Sequence, residues 1–327
     1  MVRAVRAIQF DRFGGPEVLQ YREVAVAEPG PGQARVRHTA IGLNFIDVYH
    51  RTGLYPLPLP SGLGSEAAGV VVATGAGVEH VKAGDRVAYN AAGSLGSYSE
   101  ERVLDARWLV KLPRALDDRT GAAIMLKGLT AWYLLTRSFA VSSGDWILLY
   151  AAAGGVGLIA AQWARNLGAR VIGVVSTAAK RELALGHGCE HVLLAGDDIR
   201  ARVRELTDGK GVPVVYDSVG RDTFFQSLDC LRPHGLLVSF GNASGKVAPF
   251  ELQELTKRGS LYVTRPTLGD FIRERADLDA GTRELFGLVE RGVIKIEVNQ
   301  TYALADAASA HRDLEARRTT GSTVLLP

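Results

Sequence analysis

Ala151-Ala152-Ala153-Gly154-Gly155-Val156-Gly157 is the stretch of this 327-residue sequence whose residue types and spacing most directly suit chemistry. Gly154 and Gly157 fill the second and third places of the dinucleotide fingerprint G-x-G-x-x-G. One of those places lets the backbone approach a pyrophosphate and the other lets a helix pack close on a strand. Alanine holds the first place, at 152. Alanine takes positive φ poorly, so the turn is expected to keep an ordinary conformation there and to draw its freedom from the extra Gly155. The motif follows an apolar run, Trp146–Tyr150, and opens a helix-like stretch inside a βαβ unit that ends at Val171–Val175. Gly154, Gly155, Val156 and Gly157 would then aim a helix N-terminus at a pyrophosphate. A glycine-rich turn serving packing alone is the competing reading.

The end of the next strand selects the cofactor, because an Asp or Glu roughly twenty residues on would take the ribose 2′-hydroxyl of NAD. The sequence there is Ser176-Thr177-Ala178-Ala179-Lys180-Arg181, without a carboxylate. Hydroxyls and two cations suit an anion such as the 2′-phosphate of NADP. Ser176, Thr177 and Lys180 are therefore candidate cofactor residues. NADP (NADPH) is the expected cofactor, against NAD and against a solvated helix start with ordinary surface cations.

The remaining chemistry is thinner. Two cysteines, Cys189 and Cys230, cannot build a clustered zinc site or a disulfide framework, which points to a reducing, cytoplasmic setting. Seven histidines form no cluster; His38, His50 and His80 read as surface residues, and no general acid stands out. Asn44 and Asp47, three apart after an apolar strand, read on their own as turn formers. The 38 basic and 35 acidic residues are spread without a long run of either sign, which argues against a nucleic-acid tail. The first ten residues lack the apolar core of a signal peptide. Trp146 to Ala164 carries no charge, but its glycines split it into strand, turn and helix, so no membrane span is expected.

Positioning these residues calls for about two domains at this length. Up to about residue 125, short β-like runs alternate with Gly and Pro: Val2–Phe10, Ala34–Ala40, Ala67–Thr74, Arg86–Asn90 and Ser97–Val103. They predict a compact, mostly antiparallel β domain. Helix-like segments begin near Asp117, notably Leu129–Phe139. Six strand candidates follow, at Trp146–Tyr150, Arg170–Val175, His191–Leu194, Val212–Tyr216, Leu236–Phe240 and Leu261–Val263, with helix-like stretches near 156–167, 178–187, 198–207, 221–231 and 250–257. Near-continuous apolar strands alternating with helices predict a doubly wound parallel sheet covered on both faces. After Pro266, Arg273–Glu290 and Asp306–Arg317 read as helices and Lys295–Tyr302 and Ser322–Leu326 as strands, all assigned back to the β domain.

Several stretches together resemble the zinc-independent quinone oxidoreductases, the zeta-crystallin branch of the medium-chain dehydrogenase/reductase superfamily. They include Gly42-Leu-Asn-Phe-Ile-Asp47, Gly53-Leu-Tyr-Pro56, Gly62-Leu-Gly-Ser-Glu-Ala-Ala-Gly69, Lys127-Gly-Leu-Thr130, the motif at 151–157, Val215-Tyr-Asp-Ser-Val-Gly220, Ser239-Phe-Gly-Asn242 and Tyr262-Val-Thr-Arg-Pro266. The resemblance runs the whole chain and accommodates Ala152, since this branch commonly uses A-x-x-G-G-V-G. It implies an α/β protein with a GroES-like catalytic β domain (1–126 and 266–327), a Rossmann domain (127–265) and the active site in the cleft. It also implies a homodimer, with the last strand of the Rossmann sheet pairing edge to edge across a two-fold axis.

Site residues follow from the same resemblance. Asn44, Asp47, Tyr49 and Tyr55 would line the substrate side, with Asn44 also touching cofactor. Thr130 would sit by the nicotinamide, with Tyr133, Ser218, Phe240, Gly241, Asn242 and Ser244 on the cofactor. Val263, Arg265 and Thr267 would complete that side, and Arg317 would join Ser176 and Lys180 on the 2′-phosphate. A tyrosine that commonly helps there falls at Ala195. Where zinc relatives carry a metal-binding Cys this chain has Asn44, and in place of Gly-His-Glu it has Gly64-Ser65-Glu66, so no metal is expected.

The tyrosines would offer flat faces and phenolic hydrogen bonds to a quinone, and Arg265 would stabilise charge developing on its oxygen. The expected function is NADPH-dependent, metal-free transfer of hydride or electrons to a quinone. The alternatives are NADPH-dependent reduction of the C=C bond of a 2-alkenal or enone, and NADPH-gated RNA binding, the latter disfavoured by the balanced charge.

Overall fold

The computed structural model describes residues 3–327. The chain divides into two compact units, one holding the chain up to Leu129 with Ile272–Glu290 and Ile296–Pro327, the other Thr130–Phe271 with Arg291–Lys295. In chain order the first elements are β1 (Arg3–Phe10), β2 (Gln20–Val26), β3 (Gln33–Leu43), α1 (Phe45–Thr52), β4 (Ser61–Gly62), β5 (Glu66–Thr74), β6 (Arg86–Asn90), β7 (Glu101–Asp105), β8 (Val110–Lys111) and α2 (Asp118–Tyr133). The middle of the chain gives β9 (Trp146–Tyr150), α3 (Gly155–Asn166), β10 (Arg170–Val175), α4 (Ala178–Gly186), β11 (His191–Leu194) and α5 (Ile199–Leu206). Then come β12 (Val212–Asp217), α6 (Phe224–Asp229), β13 (Leu231–Ser239), α7 (Gln253–Lys257), β14 (Tyr262–Thr264) and α8 (Leu268–Phe271). The tail forms α9 (Arg275–Glu290), β15 (Val298–Ala303), α10 (Ala307–Glu315) and β16 (Ser322–Leu326).

In the first unit, β15-β16-β3-β5-β6-β8 form one sheet, with β7 also paired to β3, and β2-β1-β4 form another. All these pairs are antiparallel except β15 with β16. The expected strand at Val2–Phe10 forms from Arg3, and Val2 lies outside the described residues. The strand expected at Ser97 begins only at Glu101, because Ser97 and Tyr98 instead donate backbone N–H groups to Gly64 and Leu63 in a tight loop. Along β3, alternate residues are buried until Ala40, after which every position to Leu43 is buried, so the strand delivers Asn44 into the interior. The chain turns there into α1, an amphipathic helix stopped by Gly53 at φ 77°, the left-handed residue of a helix C-terminus.

In the second unit, β11-β10-β9-β12-β13-β14 form one parallel sheet. Every residue of β12 and five of the six in β10 are buried, so helices cover both faces. Leu148, Ile172, Val174, Val215, Leu228 and Leu237 form its core, each worth about 1.5–3 kcal/mol when fully buried. The strand order reverses between β9 and β12, and in such sheets ligands bind beyond the carboxyl ends of the strands at that reversal.

Candidate functional site

Gly154 caps α3 at the carboxyl end of β9, with no side chain bonded to the helix start. The first N–H groups of a helix have no intrahelical acceptor, so Gly155, Val156 and Gly157 present donors and the positive end of the dipole to an anion. The expectation for the turn is corrected in one respect. The left-handed residue is Ala151 (φ 54°), while Gly155 and the other two motif glycines take ordinary φ values. Ala152, whose side chain replaces the first glycine's hydrogen, is accommodated by Gly173 on β10, where a Cβ would meet the Ala152 Cβ at 2.8 Å. Gly157 serves closeness: a Cβ there would lie 2.7 Å from the Ala152 Cα.

At the end of β12, buried Asp217 accepts from the N–H groups of Val219 (2.7 Å) and Gly220 (3.1 Å) and from the hydroxyls of Thr223 (2.7 Å) and Ser227 (2.8 Å). Those bonds shape the loop from Ser218, and the loop after β13 closes onto it. The Ser244 hydroxyl donates to the Val219 carbonyl (2.9 Å), and a Cβ at Gly241 would stand 2.8 Å from the Ser218 Cα. Ser218, Phe240, Gly241, Asn242 and Ser244 are thus brought together. Arg265, exposed just after β14, donates to the Ser239 carbonyl at 2.7 Å. Tyr133 is buried and stacks flat on Phe271, with ring centroids 4.4 Å apart; burial pushes its phenol up and the charge of Arg265 opposes that. Ser176 and Thr177 lie exposed at the end of β10, and Lys180 sits in the first turn of α4. Thr130 is buried, Val263 is half-buried in β14 and Thr267 is exposed after it. Arg317 belongs to the other unit, where it follows α10 at φ 57°.

The first unit gathers Asn44 and Asp47 into a buried polar cluster. Asn44 begins α1 and its N–H donates to Asp47 Oδ2 at 2.9 Å, so the turn-forming chemistry expected of this pair is present. The Asn44 amide nitrogen donates to Glu66 Oε1 at 2.9 Å, and the Lys127 ammonium stands 3.5 Å from the same oxygen. The Tyr98 hydroxyl donates to Asp47 Oδ2 at 2.9 Å and lies 3.2 Å from His311 Nε2. His311 Nδ1 is 3.1 Å from Arg51, which pairs with Glu315 at 2.7 Å. Arginine only donates, so His311 Nδ1 accepts, its proton sits on Nε2, and every bond in the chain points toward Asp47.

Burial pushes the Asp47 carboxyl up to about 7; the Asn44 and Tyr98 donors and Lys127 pull it down, and Glu66 pushes it further up. Burial, aided by Arg51, pushes His311 down to about 3, keeping it neutral. Tyr49 is buried edge-on against Tyr55 at 5.2 Å, with Tyr55 half-buried.

Tyr98, Lys127, Arg51 and His311 were not foreseen as part of this cluster. The expectation that His38 is a surface residue is overturned. It is buried, its Nδ1 2.6 Å from the Ser99 carbonyl and its Nε2 2.7 Å from the Tyr89 hydroxyl, and burial pushes it down to about 4. His50 is partly buried and His80 exposed.

Two domain families match the chain, the alcohol dehydrogenase GroES-like domain over residues 30–114 and the zinc-binding dehydrogenase domain over 155–280. A quinone oxidoreductase of Pseudomonas aeruginosa is 59% identical over 324 residues, covering 98% of this chain and 99% of the relative. The chain belongs to the quinone oxidoreductase family of the medium-chain dehydrogenase/reductase superfamily. Within that family, the crystal structure of the Escherichia coli quinone oxidoreductase complexed with NADPH has a TM-score of 0.97 at 50% identity, over 98% of this chain and all of that one. A 2-haloacrylate reductase of a Burkholderia species is 47% identical over 332 residues, 99% of each chain.

The zinc named in one of these domain families does not suit the donors of this quinone oxidoreductase family member. Asn44 holds Glu66, the Ser65 hydroxyl takes a hydrogen bond from Asn90 at 3.3 Å, and among the described residues no group of three His, Cys, Asp or Glu is placed to hold a metal. Both cysteines are buried in the Rossmann unit. Among the described residues, no helix is long and apolar enough to cross a membrane.

Proposed function

We infer that this chain is an NADPH-dependent quinone oxidoreductase. The observation that carries the reading is the free N-terminus of α3, set where the parallel sheet reverses, in a chain half identical along its length to an NADPH-bound quinone oxidoreductase. The donor set fits the cofactor: backbone N–H groups for its pyrophosphate, and hydroxyls with Lys180 and no carboxylate for a 2′-phosphate. When bound, NADPH supplies the hydride.

The chain's own residues take the following parts in this reading. Gly154 to Gly157 hold the pyrophosphate; Ser176, Thr177, Lys180 and Arg317 hold the 2′-phosphate. Thr130 and Tyr133 seat the nicotinamide, and the clamped loops with Ser218, Phe240, Gly241, Asn242 and Ser244 hold the rest, flanked by Val263, Arg265 and Thr267. Asn44, Asp47, Tyr49 and Tyr55 face the acceptor, the tyrosines supplying flat surfaces. Below about pH 7 Asp47 carries a proton, and because Oδ2 already accepts two donors, that proton falls to Oδ1, which has no partner among the described residues. Residues 1–126 with 266–327 form the catalytic domain and 127–265 the nucleotide domain. The protein works in the cytoplasm as a homodimer joined through β14, an edge strand carrying the exposed Tyr262. Sedimentation of a Val263→Pro variant as a monomer is the expected check, and an unchanged dimer would reject that interface.

A second reading, reduction of an activated C=C bond, is favoured by the 47% identity to a 2-haloacrylate reductase. Product analysis with NADPH and either 1,4-naphthoquinone or 2-chloroacrylate separates the two. Hydroquinone formation supports the first reading; saturated 2-chloropropionate with no quinone turnover replaces it with the second.

A further inference from the structure

Glu66 is fully buried, and its two oxygens reach two segments distant in sequence. Oε1 accepts from the Asn44 amide nitrogen, and Oε2 accepts from the Leu126 backbone N–H. Lys127, also buried, donates to the Leu43 carbonyl at 3.2 Å and approaches Oε1 at 3.5 Å. Room for the carboxylate is made by Gly42, where a Cβ would stand 2.7 Å from the Glu66 Cδ. A buried anion with one buried cation beside it is strongly destabilised if that partner is removed. The pair is therefore an expensive device to keep for packing alone.

A carboxylate accepts hydrogen bonds and donates none, so the Asn44 amide can meet Glu66 only with its nitrogen. That fixes the other end of the amide. Asn44 Oδ1 is turned to the start of α1, where it completes the capping box with Asp47. An amide oxygen has two lone pairs, so one of them is left for a ligand. An uncommitted asparagine would offer either atom; this one offers only an acceptor, which matches a hydroxyl or amide N–H on the ligand and turns away an anion. We propose that Glu66, charge-balanced by Lys127, is a positioning residue that locks the Asn44 amide as an acceptor for a donor group on the nicotinamide-riboside end of the cofactor. This rests on the reading of Asn44 as a cofactor contact.

A double-mutant cycle on NADPH dissociation constants tests it, using Asn44→Ala, Glu66→Gln and the pair, with thermal unfolding measured for each. Glu66→Gln lets the amide turn over, so it and Asn44→Ala should each weaken NADPH by up to about tenfold, the scale of one hydrogen bond between neutral groups. The double variant should be no weaker than Asn44→Ala alone, because Glu66 acts through Asn44. Losses that multiply would overturn the proposal, as would Glu66→Gln binding like the parent. If Asn44→Ala alone leaves NADPH binding unchanged, the proposal falls with the assignment of Asn44, while continued quinone reduction would leave the wider function standing. Should Glu66→Gln alone not fold, the cycle is run with Glu66→Gln combined with Lys127→Met, which removes both buried charges together, and Lys127→Arg, which keeps both, should bind NADPH like the parent.

Discussion

Replacing Gly157 by alanine tests the nucleotide cradle where it is tightest. The added Cβ would lie 2.7 Å from the Ala152 Cα and 2.8 Å from its carbonyl carbon, and closer still to the Ala151 carbonyl oxygen. These are backbone atoms, so no side chain can rotate aside. Bringing all three contacts out to the 3.4 Å of ordinary contact, the shortest being that to the Ala151 carbonyl oxygen, needs α3 to retreat by about 1 Å from the end of β9. Overpacking of this kind costs about 1–3 kcal/mol, or several degrees in the unfolding midpoint. The same retreat draws the free N–H groups of Gly155 and Val156 away from the pyrophosphate, and losing one charge-assisted bond weakens NADPH by about tenfold. Gly186, in α4 at an ordinary φ, is the matched control, because a Cβ added there would have nothing within 4 Å. Gly186→Ala should stabilise by about 0.4–1 kcal/mol and leave binding alone. Differential scanning calorimetry and isothermal titration with NADPH read both effects. A Gly157→Ala protein that melts and binds like the parent would refute the reasoning.

Lys180→Glu should weaken NADPH far more than NADH, because the new carboxylate meets a 2′-phosphate in one case and a hydroxyl in the other; equal losses on titration would remove Lys180 from the phosphate site. Asp47 makes stability depend on pH with a definite sign. Its folded value, about 7, is raised above the ordinary 3.8, so its contribution is complete below 3.8, falls as pH rises, and is lost above about 7. Asp47→Asn should flatten that decline in denaturant unfolding between those limits, and an unaltered slope would contradict the buried proton.

Much of the architecture was legible because the strands of the Rossmann unit are apolar runs closed by turn residues: β9, β10 and β11 have the expected bounds, as does β16 in the other unit. β2 was missed because its inward-facing series is Arg22, Val24 and Val26, which begins on an arginine and is only half-buried before Val26, so the apolar alternation is too short to read from the sequence. β13 starts five residues early, at Leu231, because its Pro233-His234-Gly235 reads as a turn yet is carried within the strand, with His234 at φ 59°. Strand ends and glycine spacing located the uncapped start of α3 at the end of β9. They could not show that Ala151 takes the left-handed conformation, nor that Gly173 in the neighbouring strand makes room for Ala152. The buried cluster was illegible for a different reason. His311 and Tyr98 lie 213 residues apart, Glu66 and Lys127 lie 61 apart, and His38 is buried by partners 51 and 61 residues away. Only tertiary structure brings such polar residues to one another.

The most decisive measurement is the initial rate of NADPH oxidation by the purified protein with and without 1,4-benzoquinone, alongside NADH at the same concentration. Oxidation of NADPH should depend on the quinone, with hydroquinone appearing in step, and NADH should react more slowly. A rate that does not respond to the quinone would rule out quinone reduction as the function of this chain.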